Sequence, residues 1–183
     1  MGPSATWAAW TASSGRCTRP CFASRHVALE RLFAHEHGLY GDLPAGEAVA
    51  DGHDPHTGPE VRSLYGGGPV APEALSGLDL VLVDMQERGA RYYTVLGTTL
   101  RLLALCREAD VPMVMLDRPN PLGRRCEGPW HVPAALRSLV AAASVPIRHG
   151  LTLGELVRLA AAERGLEAWV EVVPVERWRR AER

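Results

Sequence analysis

The stretch "LDLVLVD", residues 78–84, decides the fold. Its apolar residues run together instead of alternating, as in a strand covered on both faces, and that pattern belongs to parallel sheets. Gly77 precedes the run and Asp84 ends it. "VPMVMLD" (111–117) repeats the design, stopped by Pro119 and Pro121. Between the two, "TTLRLLALCREAD" (98–110) has the apolar spacing of an amphipathic helix. Working outward, "VALERLFA" (27–34), "EVRSLY" (60–65) and "AWVEVVPV" (168–175) read as further strands. "LTLGELVRLAAAERG" (151–165) reads as a helix with both ends marked. Thr152 and Glu155 form a T-x-x-E capping box, and Gly165 suits the C-terminal stop. Strands alternating with helices predict an α/β, Rossmann-like, mostly parallel sheet with helices on both faces.

Residues 1–26 show neither helical nor strand periodicity and are expected to be a poorly ordered or non-homologous N-terminal segment. Residues 27–176 then form the α/β domain, and 177–183 a charged, solvated tail. The 183 residues suffice for one domain with a hydrophobic core. A formal charge of -1 gives no electrostatic reason to expect nucleic acid or a membrane surface as partner. No apolar run approaches the roughly 20 residues that span a bilayer. The first residues lack the charged-then-apolar pattern of a signal peptide, so a cytoplasmic location is expected.

All 20 basic residues are arginine. Without lysine there is no Schiff-base chemistry, no pyridoxal-phosphate anchor and no P-loop. "YGGGP" (65–69) is therefore a flexible turn, and no cofactor is expected. Cys17 and Cys21 have a zinc-like interval, but no second ligand pair follows, so no metal site is assigned.

In doubly wound sheets ligands bind beyond the carboxyl ends of the strands. Polar side chains gather there in this chain. Glu36 and His37 follow one strand, Tyr65 ends the next, Asp84, Gln86 and Arg88 follow the third, and Asp117, Arg118 and Asn120 the fourth. A pocket at that rim is the expectation.

The strings "EHGLYGD" (36–42), "DPHTG" (54–58), "SLYG" (63–66), "DMQERGARYYT" (84–94), "DRPNP" (117–121), "EGP" (127–129) and "PIRHGLTLGEL" (146–156) occur in one order. Together they resemble the exo-β-N-acetylmuramidase family, long known only as a domain of unknown function. The likeness covers roughly residues 29 to 160. It implies release of terminal N-acetylmuramic acid from the non-reducing end of peptidoglycan-derived sugars. It also implies a Rossmann-like domain followed by a smaller one that helps close the site, with the "EHG" glutamate, Glu36, as leading catalytic candidate. Family members begin with a strand and an Asn-Pro-Thr-Gly-like loop that residues 1–26 do not display. On that ground the chain is expected to be shortened at both ends, with the second domain absent.

Glycoside cleavage takes a proton donor at the leaving oxygen and an anion that stabilises the cationic transition state or activates water. Glu36 fits the donor. Asp84 is the second candidate, as base, nucleophile or stabiliser, and Tyr65 or Tyr93 could stand in for a second carboxylate. The lactyl carboxylate suits arginine's planar fork. Arg88, Arg91, Arg118 and Arg148 lie near the rim, and Arg148, beside His149 and just before a helix N-terminus, is the first choice. His37, Gln86, Asp117, Asn120 and His149 complete the expected contacts.

Plainer roles stand beside these. Glu36 could cap a turn; Asp84 and Asp117 could bond backbone amides; "DRPNP" could be a rigid turn. Asp54 and Thr57 could shape their own loop, and Trp130 and Trp169 could be core or sugar platform. Two alternative functions remain: a metal-dependent hydrolase using His35, His37, Asp84 and Asp117, or an inactive sugar-binding fragment.

Overall fold

The computed structural model describes residues 5–11, 26–66, 68 and 70–180. Seven strands form one sheet: β1 (Ala5–Thr11), β2 (Val27–Ala34), β3 (Gly52–His53), β4 (Glu60–Ser63), β5 (Leu80–Asp84), β6 (Met113–Leu116) and β7 (Val170–Val173). Their order is β3-β4-β2-β1-β5-β6-β7. The pairs β1–β2, β1–β5 and β2–β4 are parallel, and the short β3 is antiparallel to its neighbour β4. Without β3, the sequence of neighbours is the 3-2-1-4-5-6 order of doubly wound dinucleotide-type folds. The order reverses direction between β1 and β5, where Thr11 stands opposite Asp84.

β1 corrects the expectation for the N-terminus. Residues 5–11 are the central strand, hydrogen-bonded to both β2 and β5. "ATWAAWT" lacks the β-branched run that marks strands from sequence; pairing on both sides, not propensity, fixes it. The C-x3-C pair, Cys17 and Cys21, lies outside the described residues.

Two compact units divide the chain: Met1–Asp84 with Leu105–Val114, and Met85–Ala104 with Met115–Arg183. In the first, Leu32, Ala34, Leu39, Val49 and Val61 form a buried cluster, with Leu29, Tyr40, Leu43 and Tyr65 packed against it. The register of β1 on β2 steps from Trp7↔Leu29 to Ala8↔Arg31. Glu30 is therefore a bulge residue, exposed, which is how a charge fits inside an apolar strand. Arg31 beside it is bound by Glu60 at 3.2 Å and by the Ala74 carbonyl.

Helix α1 (Thr94–Glu108) starts four residues earlier than the apolar spacing predicts, and the turn after it carries Asp110 at φ 58°. Its Cys106 is fully buried, and burial pushes the thiol up to about 12, leaving no thiolate for nucleophilic or metal chemistry at neutral pH. In the second unit, α2 (Leu153–Ala162) begins at the expected cap. The Thr152 hydroxyl accepts from Glu155 N at 3.2 Å, and Glu155 Oε2 accepts from Thr152 N at 2.8 Å. Gly165, at φ 65°, and the Leu166 N–H on the Ala161 carbonyl (3.0 Å) close its C-terminus. The tail is less free than its charge suggests: Arg180 pairs with Glu155 and lies over the Trp178 ring. Among the described residues no helix is long and apolar enough to cross a membrane.

Candidate active site

In the first unit the polar residues collect where β2, β4 and β5 end. β2 stops at Ala34, and the chain turns at once: His37 N and Gly38 N both donate to the His35 carbonyl, at 3.1 and 2.9 Å. Gly38, at φ 75°, makes the reversal, with Asp42 and Leu43 within 3.3 Å of where a Cβ would stand. Glu36, half-buried, is presented by this turn. Its Oε1 accepts the Gly46 N–H at 3.2 Å, and its carboxylate also accepts the Tyr65 phenol. Partial desolvation, then the Glu36 charge and its hydrogen bond, hold the Tyr65 phenol above its ordinary value. Tyr65 therefore stays a protonated donor at neutral pH. Asp84 is 4% exposed at the end of β5, at the point where the strand order reverses.

The two histidines flanking Glu36 lie beyond the end of β2. Their rings meet edge to face at 6.0 Å. His37 Nδ1 lies 3.0 Å from the Leu43 carbonyl. Burial, then the neighbouring His37, push His35 down to about 4, with Glu36 opposing, so His35 is neutral at pH 7. Asp54 and Thr57 do shape their own turn: Asp54 Oδ2 accepts Thr57 N at 3.0 Å and the Thr57 hydroxyl. The same carboxylate accepts the Tyr40 phenol through Oδ1. Among the described residues no three His, Cys, Asp or Glu side chains converge as a metal site requires, so nothing there favours the metal-hydrolase alternative.

In the second unit most of the expected contacts are engaged by backbone. Asp117 accepts Gly154 N and Arg118 N, each at 2.9 Å, and the Thr152 hydroxyl at 2.6 Å. It is an anion at the N-terminus of α2, where the helix dipole favours it. Gly154 is obligatory there, since a Cβ would run into the Asp117 carboxyl and Val172. Asn120 donates to the Leu151 carbonyl and accepts Leu122 N, both at 2.8 Å, making "DRPNP" the rigid turn of the plainer reading. Gln86 donates to the Glu87 and Pro119 carbonyls. Arg91 donates to the carbonyls of Pro129 and Val145, at 3.0 and 2.7 Å. Arg148, the first choice for a carboxylate, already holds Glu127 at 3.1 Å and the Leu122 carbonyl. The Arg88 side chain is exposed and has no partner among the described residues. Tyr93 and Trp130 are also exposed, at 47% and 63%, whereas Trp169 is half-buried.

Sequence reading passed over Glu87, which is 2% exposed. Its Oε1 accepts Arg88 N and Gly89 N, at 2.8 and 3.1 Å, and stands 3.7 Å from His149 Nε2. His149 is buried too, and its Nδ1 accepts Leu151 N at 3.1 Å, which puts the neutral ring's proton on Nε2, toward Glu87. The signal was the glycine two residues on: Gly89, at φ 87°, makes the turn that aims both amides at the carboxylate.

A Rossmann-like sheet with a carboxylic acid and a phenol bonded to each other at a strand end defines a class, α/β proteins with a polar rim suited to acid/base chemistry. The comparisons then fix the family. The description "Exo-beta-N-acetylmuramidase NamZ, N-terminal" matches residues 6–183, so the chain belongs to that family. The match starts within β1, so the N-terminal strand is part of the family fold and not a foreign segment. The chain is 38% identical over 156 residues to the peptidoglycan beta-N-acetylmuramidase NamZ of Bacillus subtilis, covering 84% of this chain and 37% of that protein. Two crystal structures of DUF1343 family proteins from Bacteroides fragilis share the fold. One has TM-score 0.84 and 29% identity over 98% of this chain and 47% of its own; the other has 0.74 and 27% over 95% and 48%. The chain thus spans less than half the length of these relatives.

Proposed function

We propose that the chain carries the acid/base half of a glycoside hydrolase that releases terminal N-acetylmuramic acid from peptidoglycan-derived amino sugars, in cell-wall turnover. The observation that carries this reading is the Glu36 carboxyl, half-buried at the end of β2 and held in one orientation by the Gly46 amide and the Tyr65 phenol. A proton donor must be fixed within reach of the leaving oxygen, and two donors on one carboxylate supply that constraint. Tyr65, kept as a phenol, steadies Glu36 while the proton passes to the leaving group. Asp84, buried at the reversal point of the sheet, is the candidate anion for the cationic transition state or for activating water. Within the second unit, the Arg88 fork is unengaged among the described residues and suits a carboxylate better than that of Arg148, which already holds Glu127. His37, Gln86, Arg91, Asp117, Asn120, Arg148 and His149 meet loop backbone through the hydrogen bonds given above.

The test is turnover of a chromogenic β-linked N-acetylmuramide by the chain, with Glu36→Gln beside it. Loss of at least 100-fold in kcat is expected, the usual worth of a positioned acid being about 10²–10⁴. Full turnover by Glu36→Gln would end the proposal.

A further inference from the structure

We propose that Tyr40 and Asp54 are positioning residues for Glu36, forming a clamp between the loop that carries the acid and the turn before β4. The inference rests on the reading of Glu36 given above and adds how the loop is kept in place.

The loop is held at its root by backbone. His37 N and Gly38 N return to the His35 carbonyl, and Leu43 N donates to the His37 carbonyl at 3.2 Å. Those bonds fix the turn but not its tip. At the tip, the Tyr40 ring packs on the Leu32–Leu39–Val49 cluster, and its hydroxyl donates to Asp54 Oδ1. The His56 ring closes on the Tyr40 ring edge to face at 5.6 Å. Asp54 is itself immobilised. It is 3% exposed, its other oxygen accepts Thr57 N and the Thr57 hydroxyl, its N–H donates to the Pro59 carbonyl and its carbonyl accepts Gly58 N, both at 2.9 Å. The turn runs directly into β4 at Glu60, which is paired in register with Arg31 of β2. The acid's loop leaves from the end of β2, and the clamp ties it back to β4 beside β2. Glu36 thus belongs to a closed frame rather than to a hanging loop.

A phenol donating to a buried carboxylate is among the stronger neutral-to-charged hydrogen bonds. Asp54 remains an anion in place: burial pushes its pKa up, but the Thr57 and Tyr40 hydroxyls and the His56 and Thr57 amides outweigh that and lower it. Without the phenol, the loop keeps its packing on the cluster but loses its direct bond to the turn before β4. Displacement of an acid by about 1 Å is enough to cost roughly 100-fold in rate.

The experiment is steady-state kinetics on the β-linked N-acetylmuramide with Tyr40→Phe and Asp54→Asn, read beside Glu36→Gln, well below each variant's Tm. Tyr40→Phe is expected to lower kcat by roughly 5- to 50-fold while KM moves less than about twofold. Asp54→Asn, which keeps an oxygen for the phenol, is expected to retain more of kcat than Asp54→Ala. A fall in kcat at nearly constant KM is a pattern that a mere loss of folded protein, corrected for active concentration, would not cause. Unchanged kcat in Tyr40→Phe, with Glu36→Gln inactive, would overturn the clamp and leave the acid in place. An active Glu36→Gln would overturn the reading on which it rests.

Discussion

Asp117 is a residue on which a site role and a structural role give opposite results. The carboxylate accepts three hydrogen bonds, two of them from groups in buried residues, the Gly154 N–H and the Thr152 hydroxyl. In Asp117→Ala both lose their acceptor, and a buried donor left unsatisfied costs about 1–3 kcal/mol. The anion at the α2 N-terminus adds about 0.3–1 kcal/mol. The expected destabilisation is about 3–5 kcal/mol, and with m near 2 kcal/mol/M the urea midpoint falls by about 1.5–2.5 M. Asp117→Asn keeps one carbonyl oxygen for the amides and loses the charge, so about 1 kcal/mol is expected. The assay is urea unfolding followed by far-UV circular dichroism, with turnover measured in native buffer. An alanine variant within about 1 kcal/mol of the parent, or an asparagine variant as unstable as the alanine one, would refute the capping account. So would a stable Asp117→Asn devoid of activity, which would return Asp117 to the chemistry.

Three further outcomes follow from the same geometry. His35 stays neutral in the folded chain down to about 4 but protonates near 6.5 once unfolded. The unfolded state therefore takes up the proton first, and stability should fall as pH drops from 6.5 to 4, by at most about 3 kcal/mol; His35→Gln should flatten that part of the stability–pH curve, and an unchanged slope would refute the shift. Tyr65→Phe removes the phenol that bonds the Glu36 carboxylate, so kcat on the β-linked N-acetylmuramide should fall by roughly 5- to 50-fold while KM moves less than about twofold. An unchanged kcat in Tyr65→Phe counts against the pair. Gly89→Ala places a Cβ against the Asn120 side chain at a φ of 87° and should destabilise by about 2–4 kcal/mol in urea, whereas Gly58→Ala, also left-handed but facing open space, should cost less.

The elements that could be read from the sequence were those whose local pattern and final environment agree. "LVLV" is apolar on both sides because β5 is buried on both, and T-x-x-E closed α2 as its spacing required. Glu36 and Tyr65, 29 positions apart by subtraction of their numbers, were legible as strand-end residues, though not as hydrogen-bonded partners. β1 escaped because alanine, threonine and tryptophan carry no period, and only its two neighbours make it a strand. For Arg148 and Asp117 the sequence shows a charge without showing the amide, carbonyl or Glu127 that engages it. Glu87 was hidden for the converse reason: a lone acid between Gln86 and Arg88 gives no sign that it is buried.

β3 deserves a last consequence. Two residues, Gly52 and His53, pair antiparallel with Val61 and Glu60 and form the outermost strand on that side of the sheet. Pro55 follows within two positions, a residue with no N–H to offer a further chain. A full-length parallel strand left bare at this border would be a template for intermolecular β-pairing; so brief a ribbon, ending in a proline turn, denies an incoming strand its ladder. Resistance to fibril growth along this margin is thereby written into the connection that also carries Asp54, and shortening that connection would trade colloidal stability for a simpler fold.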